Sequence, residues 1–294
     1  MIYGAIDIGT NAARMLIGEV CFSDNKFFMK KLSYTRLPLR LGEEVFDSGI
    51  ISEKKEGDFI KTMQSFKLIS EIFNVKELRA VSTSAMREAT NRKSIIEKIY
   101  KKTDIELEII SGDEEAALIL GAFDMLNLNK SDAYIVIDVG GGSTEISVFE
   151  NGQRTNAKSF EIGTLRLLKN KVPKSSWQSM EKWIESNIDK KQKYTVFGTG
   201  GNINKVHKLI GNPFKEQLEI SELKSFYDAI KGMDVETRIA EYKLKPDRAD
   251  VIVPALKIYL QALKKMKAKN LFVPKIGLSD GVIYNFYKNQ KNGK

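Results

Sequence analysis

Two stretches of this chain carry an apolar run into an aspartate and then straight into small residues. They are Ala5-Ile6-Asp7-Ile8-Gly9-Thr10-Asn11 and Ile135-Val136-Ile137-Asp138-Val139-Gly140-Gly141-Gly142-Ser143-Thr144-Glu145. Such runs read as buried strands, so each aspartate stands at a strand end beside turn backbone. A turn poor in side chains lets backbone N–H groups approach a phosphate oxygen closely. A carboxylate repels phosphate, and a hard divalent cation reconciles the two: magnesium takes one or two carboxylates together with phosphate oxygens and waters. Asp138 and Glu145 are the candidate metal ligands, and Asp7 a further one acting through water. Gly9, Thr10 and Asn11 in the first turn, and Gly140, Gly141, Gly142, Ser143 and Thr144 in the second, are the candidate phosphate contacts. Two such turns predict two facing lobes that grip one phosphorylated ligand.

Hydrolysis also needs a group that orients or deprotonates water. Glu115, in the acidic stretch Gly112-Asp113-Glu114-Glu115, is the candidate. Its place in a first helical turn stabilises the anion and weakens it as a base, which favours orienting water over strong proton abstraction. Arg87 follows Thr83-Ser84-Ala85-Met86 at a helix start, where a guanidinium can meet phosphate oxygens and developing charge. The bland alternative for Arg87 is a surface ion pair with Glu88 or another acid. Arg166 and Lys169 either reach a polyanion or lie on a solvated helix. Gly200 belongs to a further glycine turn, Gly198-Thr199-Gly200-Gly201. His207 reads as part of a polar helix face and Cys21 as part of a strand, and neither is assigned chemistry.

The elements that must position these residues alternate between strand and helix, which argues an α/β architecture. Residues 1–20 read as a hairpin, with a further strand over 26–39. Ile60, Met63, Phe66, Ile69 and Phe73 recur at three- and four-residue spacing, predicting a helix over 53–73. Short strands are expected at 78–82 and 107–111, and a helix from Gly112 to about Leu126. A second hairpin covers 133–152, followed by a helix near 175–187 and a strand at 194–197. One apolar helix is expected over 248–265, a last strand at 271–273 and a final helix after Gly277. The polar segment 127–132 is the expected boundary, dividing the chain into lobes 1–127 and 128–294.

Composition narrows the classes. A single cysteine and a single histidine exclude a disulfide framework, a cysteine-based zinc cluster and a histidine-rich metal site. The longest apolar runs fall short of the ~20 residues that span a bilayer. The chain opens on a strand rather than on a signal peptide. A soluble cytoplasmic protein with no membrane partner is expected. The net charge of +9, from 47 basic and 38 acidic residues, favours polyanionic partners. Lysine runs such as those at 190–193 and 264–267 nevertheless have the look of solvated surface.

Taken in order, Asp7-Ile8-Gly9-Thr10-Asn11, Ser82-Thr83-Ser84-Ala85-Met86-Arg87, Ser111-Gly112-Asp113-Glu114-Glu115-Ala116, Asp138 through Glu145, Gly198-Thr199-Gly200-Gly201 and Gly277-Leu278-Ser279-Asp280-Gly281 form a set. In this order the chain resembles the exopolyphosphatase and guanosine pentaphosphate phosphohydrolase family, within the actin, sugar kinase and Hsp70 superfamily, from Ala5 to about Tyr284. The resemblance implies two ribonuclease-H-like (actin-like ATPase) lobes with a central phosphate-binding cleft. It also implies Mg2+-dependent hydrolysis of a terminal phosphoanhydride, with K+ as a second candidate ion, and a homodimer. It places the catalytic glutamate at Glu115, and likens the turn at Gly200 to the superfamily's nucleoside-side loop. Longer members carry an added helical module that this chain does not include, so the short two-domain form is expected. Inorganic polyphosphate is the expected substrate and a guanosine polyphosphate nucleotide the runner-up, with no specific nucleic acid. A small-molecule kinase would need an acceptor pocket. A non-catalytic sensor of guanosine tetraphosphate or polyphosphate would not need Glu115.

Overall fold

In a computed structural model that describes residues 1–23, 26–126, 128–129, 131–189, 191–210 and 217–292, both aspartate-ended runs form central strands. The chain makes two compact units: Met1–Asn127 together with Ile276–Lys294, and Leu128–Lys275. The expected split into 1–127 and 128–294 therefore misplaces the last segment, which belongs with the first unit. Two residues of the polar stretch expected as a boundary, 127 and 130, lie outside the described residues, as does Lys190 of one lysine run.

The first unit runs β1 (Ile2–Ile8), β2 (Ala13–Ser23), β3 (Lys26–Leu37), α1 (Gly42–Ser48), α2 (Glu53–Ile72), β4 (Glu77–Ser82), α3 (Ser84–Glu88), α4 (Arg92–Thr103), β5 (Leu107–Ile109) and α5 (Gly112–Phe123). Its sheet has the order β3-β2-β1-β4-β5. The hairpins β1–β2 and β2–β3 are antiparallel, and β1, β4 and β5 are parallel. Strand β1 is buried from Tyr3 to Ile8 on both faces, as a continuous apolar run predicts for a central strand. Phe59, Met63 and Phe66 of α2 enter the core, so Phe59 rather than Ile60 leads the stripe, and Ile60, Ile69 and Phe73 are only partly buried. Each fully buried side chain contributes about 1.5–3 kcal/mol on burial. Ser52 caps α2 and Ser111 caps α5, each accepting from the backbone N–H three residues on.

The second unit runs β6 (Ala133–Val139), β7 (Thr144–Glu150), β8 (Gln153–Phe160), α6 (Thr164–Leu168), α7 (Lys174–Asn187), β9 (Tyr194–Thr199), α8 (Gly201–Ile210), β10 (Gln217–Glu219), α9 (Ile220–Ile230), α10 (Val235–Tyr242), α11 (Pro246–Ala249), α12 (Ile252–Met266) and β11 (Asn270–Phe272). Its sheet order is β10-β11-β9-β6-β7-β8. The pattern of the first unit recurs: an antiparallel β6–β7–β8 meander joined through β6 to parallel β9 and β11. Both units thus have the ribonuclease-H-like arrangement. The helix expected over 248–265 divides into α11 and α12. The core is built from β6, β7 and β9 under α12, with Ile135, Ile137, Ile146, Val196, Leu256 and Tyr259 among its members.

The last helix, α13 (Leu278–Asn292), packs on α5 and β1 of the first unit. Gly281 explains how closely: a Cβ there would stand 1.8 Å from the Leu118 carbonyl oxygen. Phe286 stacks on Tyr3 with ring centroids 5.3 Å apart.

Candidate functional site

In the second unit, strand register gathers the chemistry into one row. Asp138 of β6 lies opposite Glu145 of β7 on one side and Thr199 of β9 on the other, and Glu145 lies opposite Ser159 of β8. Side chains directly across neighbouring strands share a face of the sheet, so the row reads Thr199, Asp138, Glu145, Ser159. Hydrogen bonds bear this out: Thr199 Oγ1 donates to Asp138 Oδ1 at 2.5 Å, and Ser159 Oγ to Glu145 Oε1 at 2.7 Å. Tyr259 of α12 braces the row from beneath, its hydroxyl donating to the Thr199 carbonyl. Burial and the negative charges of Asp138 and Glu145 push that hydroxyl's pKa well above its ordinary value, so it stays a donor.

Like charges facing each other across strands are destabilising. The Asp138–Glu145 pair stands at the mouth of the Gly140–Ser143 turn, and Glu145 is only 3% exposed. A cation relieves this arrangement, and an oxygen-only donor set of two carboxylates suits a hard ion such as magnesium. The turn itself is closed by Gly140 N–H donating to the Ser143 carbonyl at 3.0 Å. Thr144 is fully buried, its hydroxyl bonded to the Ile162 carbonyl, which makes it a brace of the turn in this structure. Gly200 adopts φ +112°, and a Cβ there would meet the Val139 carbonyl at 2.9 Å and Asp138 Oδ1 at 3.4 Å. Only glycine permits that approach beside Asp138.

In the first unit the corresponding turn differs in charge. Asp7 of β1 lies opposite Arg14 of β2, and Arg14 Nη1 donates to Asp7 Oδ2 at 2.6 Å. Asp7 is therefore already matched by a cation, whereas its counterpart Asp138 faces an acid. The turn is tight: Gly9 N–H donates to the Ala12 carbonyl at 3.1 Å. The carbonyls of Thr10 and Asn11 accept from Gly42 and Arg40, both at 3.0 Å. Glu115 stands in the first turn of α5 and is 8% exposed. Arg87 of α3 turns towards it: Nη1 donates to the Ile110 carbonyl at 2.7 Å and makes a long contact of 3.5 Å with Glu115 Oε2. The acid beside Arg87 is thus Glu115, a case of the ion pair with another acid that the bland alternative allowed, and Glu88 accepts from Ser84. Glu114 is held by Arg79, which also grips Glu108.

Two readings change. His207 is 3% exposed and lies in the interior of the second unit rather than on a polar helix face, because it shares the buried face of α8 with Ile203 and Val206. Arg166 is 8% exposed, with Nε donating to the Gly142 carbonyl at 2.9 Å, so it neither lies on a solvated helix nor reaches outwards. Arg14, Thr199, Ser159 and Tyr259 were not singled out from sequence. Arg14 and Ser159 act through the register of neighbouring strands, Thr199 through a strand 61 residues from Asp138, and Tyr259 through helix packing, none of which residue types alone disclose.

Residues 20–290 match the model of the Ppx/GppA phosphatase family. The chain is 30% identical over 273 residues to the bifunctional 3-dehydroquinate synthase/phosphatase of Fusobacterium nucleatum, covering 85% of this chain and 41% of that protein. It is 28% identical over 173 residues to exopolyphosphatase 1 of Mycobacterium bovis, covering 59% of this chain and 49% of that protein. The chain thus spans less than half the length of these relatives. Its fold is shared with the crystal structure of an exopolyphosphatase from Cytophaga hutchinsonii, at a TM-score of 0.84 and 22% identity over 98% of both chains.

Proposed function

The chain belongs to the Ppx/GppA phosphatase family, and on that footing we propose that it is an exopolyphosphatase, hydrolysing the terminal phosphoanhydride of inorganic polyphosphate to release orthophosphate. The observation that carries this reading is the row Thr199, Asp138, Glu145, Ser159 at the mouth of the glycine turn. Two carboxylates held side by side are costly without a cation, and an anion nest next to them suits the phosphate that such a cation accompanies.

Backbone N–H groups of Gly141, Gly142 and Ser143, and of Thr10 and Asn11, hold non-bridging oxygens of the chain end. Asp138 and Glu145 are the Mg2+ ligands, with Asp7 a lesser candidate because Arg14 already neutralises it. A bound Mg2+ supplies neutralisation of phosphate charge and a fixed orientation for the reacting phosphoryl group. Glu115 orients the attacking water and accepts its proton as the bond to phosphorus forms, while the shortened chain leaves with the bridging oxygen. Arg87 stands beside Glu115 and offsets charge on the transferred phosphoryl oxygens. In a loose phosphoryl-transfer transition state, such positioning and charge stabilisation account for most of the rate.

Phosphate release by the purified chain tests the reading, with short polyphosphate, long polyphosphate and guanosine pentaphosphate compared at saturating Mg2+. Fastest release from polyphosphate, abolished by chelation of the metal, is the expected result. Preference for the nucleotide would replace the substrate while keeping the chemistry. Binding without release from any of the three would make the chain a sensor.

A further inference from the structure

The carbonyls of the glycine turn are drawn onto one short helix. Thr164 N–H donates to the Gly140 carbonyl at 3.0 Å, and the N–H groups of Leu165 and Arg166 to the Gly141 carbonyl at 2.9 and 3.3 Å. Arg166 Nε completes the set on the Gly142 carbonyl at 2.9 Å. The helix comes this close because residue 163 is glycine: a Cβ there would stand 2.3 Å from the Gly141 oxygen and from the Gly142 carbonyl carbon.

A trans peptide is planar, with its C=O and N–H pointing to opposite sides, and no cis peptide occurs among the described residues. The Gly140 carbonyl shares its peptide with the Gly141 N–H, the Gly141 carbonyl with the Gly142 N–H, and the Gly142 carbonyl with the Ser143 N–H. Fixing these carbonyls on α6 therefore turns the N–H groups of Gly141, Gly142 and Ser143 away from α6. Successive N–H groups turned to one side make an anion nest.

We propose that Arg166 is a positioning residue for phosphate binding: together with the first turn of α6 it clamps the glycine turn, so that the N–H groups of Gly141, Gly142 and Ser143 are preset for an anion. The inference rests on the reading that this turn takes a phosphate of the substrate. Three consecutive glycines have more backbone freedom to lose than any other tripeptide. A turn ordered only on binding would lose affinity to that cost, and the clamp removes it in advance. It also accounts for a buried guanidinium, which is unfavourable unless its donors are engaged.

The test uses Arg166→Gln and Arg166→Lys in the full chain, assayed with tripolyphosphate at saturating Mg2+ and well below each variant's unfolding temperature. Arg166→Gln should raise KM by about tenfold, the order expected for losing one charge-assisted hydrogen bond, with a smaller effect on kcat. Arg166→Lys, which keeps the stem and charge, should fall between it and the wild type, and it decides the question if Arg166→Gln does not fold. Backbone hydrogen exchange should quicken at Thr164–Arg166 and stay unchanged in β6 and β9. A KM within twofold of wild type in a folded variant would overturn the proposal. So would faster exchange throughout the second unit, which marks a merely structural role. If the wild type releases no phosphate, the polyphosphate reading fails by itself. The clamp is then judged by binding of methylenediphosphonate with Mg2+, which must weaken in Arg166→Gln.

Discussion

Asp138 and Glu145 sit where function and stability pull apart. Facing each other across β6 and β7, they repel in the absence of a cation. Replacing either by its amide relieves that repulsion and removes a ligand. Asp138→Asn and Glu145→Gln should therefore match or exceed the wild type in unfolding temperature without Mg2+, while activity falls on the order of 100-fold or more. Thermal unfolding in chelator, set beside phosphate release, checks both halves; a marked loss of stability in both variants would contradict this account of the pair. The candidates Asp138, Glu145 and the glycines were legible because aspartate-ended apolar runs and Gly140-Gly141-Gly142 stand out by residue type, and the candidate Glu115 because it ends the acidic stretch Gly112-Asp113-Glu114-Glu115. Arg14 was not, although it decides that Asp7 is neutralised. The hairpin over 1–20 was expected, but residue types do not give the register that sets Arg14 opposite Asp7.

Helix α5 carries Glu115, and its seat depends on α13. Gly281 lies against the Leu118 carbonyl with no room for a methyl group. Gly281→Ala must push the two helices apart, and should cost about 2–3 kcal/mol, at the upper end for overpacking. Activity should fall with it because α5 moves, and denaturant unfolding together with the phosphate assay checks this. The strands and long helices were readable from periodicity, with α2 ending within a residue of expectation. The attachment of α13 to the first unit was not, since it rests on contacts between segments over 150 residues apart. Strand β9 offers a test of pH dependence. The Tyr194 hydroxyl donates to Glu150 Oε1 at 2.5 Å, and burial, then Glu150, raises its pKa to about 12. A raised pKa in the folded state stabilises below the unfolded value of about 10, and that stabilisation is lost as pH climbs towards 12. Tyr194→Phe should thus flatten the decline in stability over this window, as measured by chemical unfolding at stepped pH.

The molecule as a whole carries a net charge of +9, and a polyanionic substrate should feel it. KM for long polyphosphate should rise several-fold from low salt to about 0.15 M, where the Debye length is about 8 Å, with a smaller rise for tripolyphosphate. Equal salt dependence for both would show that the charge beyond the cleaved end plays no part. Among the described residues no helix is long and apolar enough to cross a membrane. The α/β class and the family were legible from ordered motifs spread along nearly the whole chain. The division into units was less so, because the chain returns to its first unit at the end. The decisive measurement is hydrolysis of polyphosphate in water carrying heavy oxygen, by the wild type and by Glu115→Gln. Attack of water on the terminal phosphorus predicts one heavy oxygen in each released orthophosphate and none in the shortened chain. It also predicts a rate on the order of 100-fold lower in the folded variant. Heavy oxygen in the shortened chain, or an undiminished rate in Glu115→Gln, would contradict it.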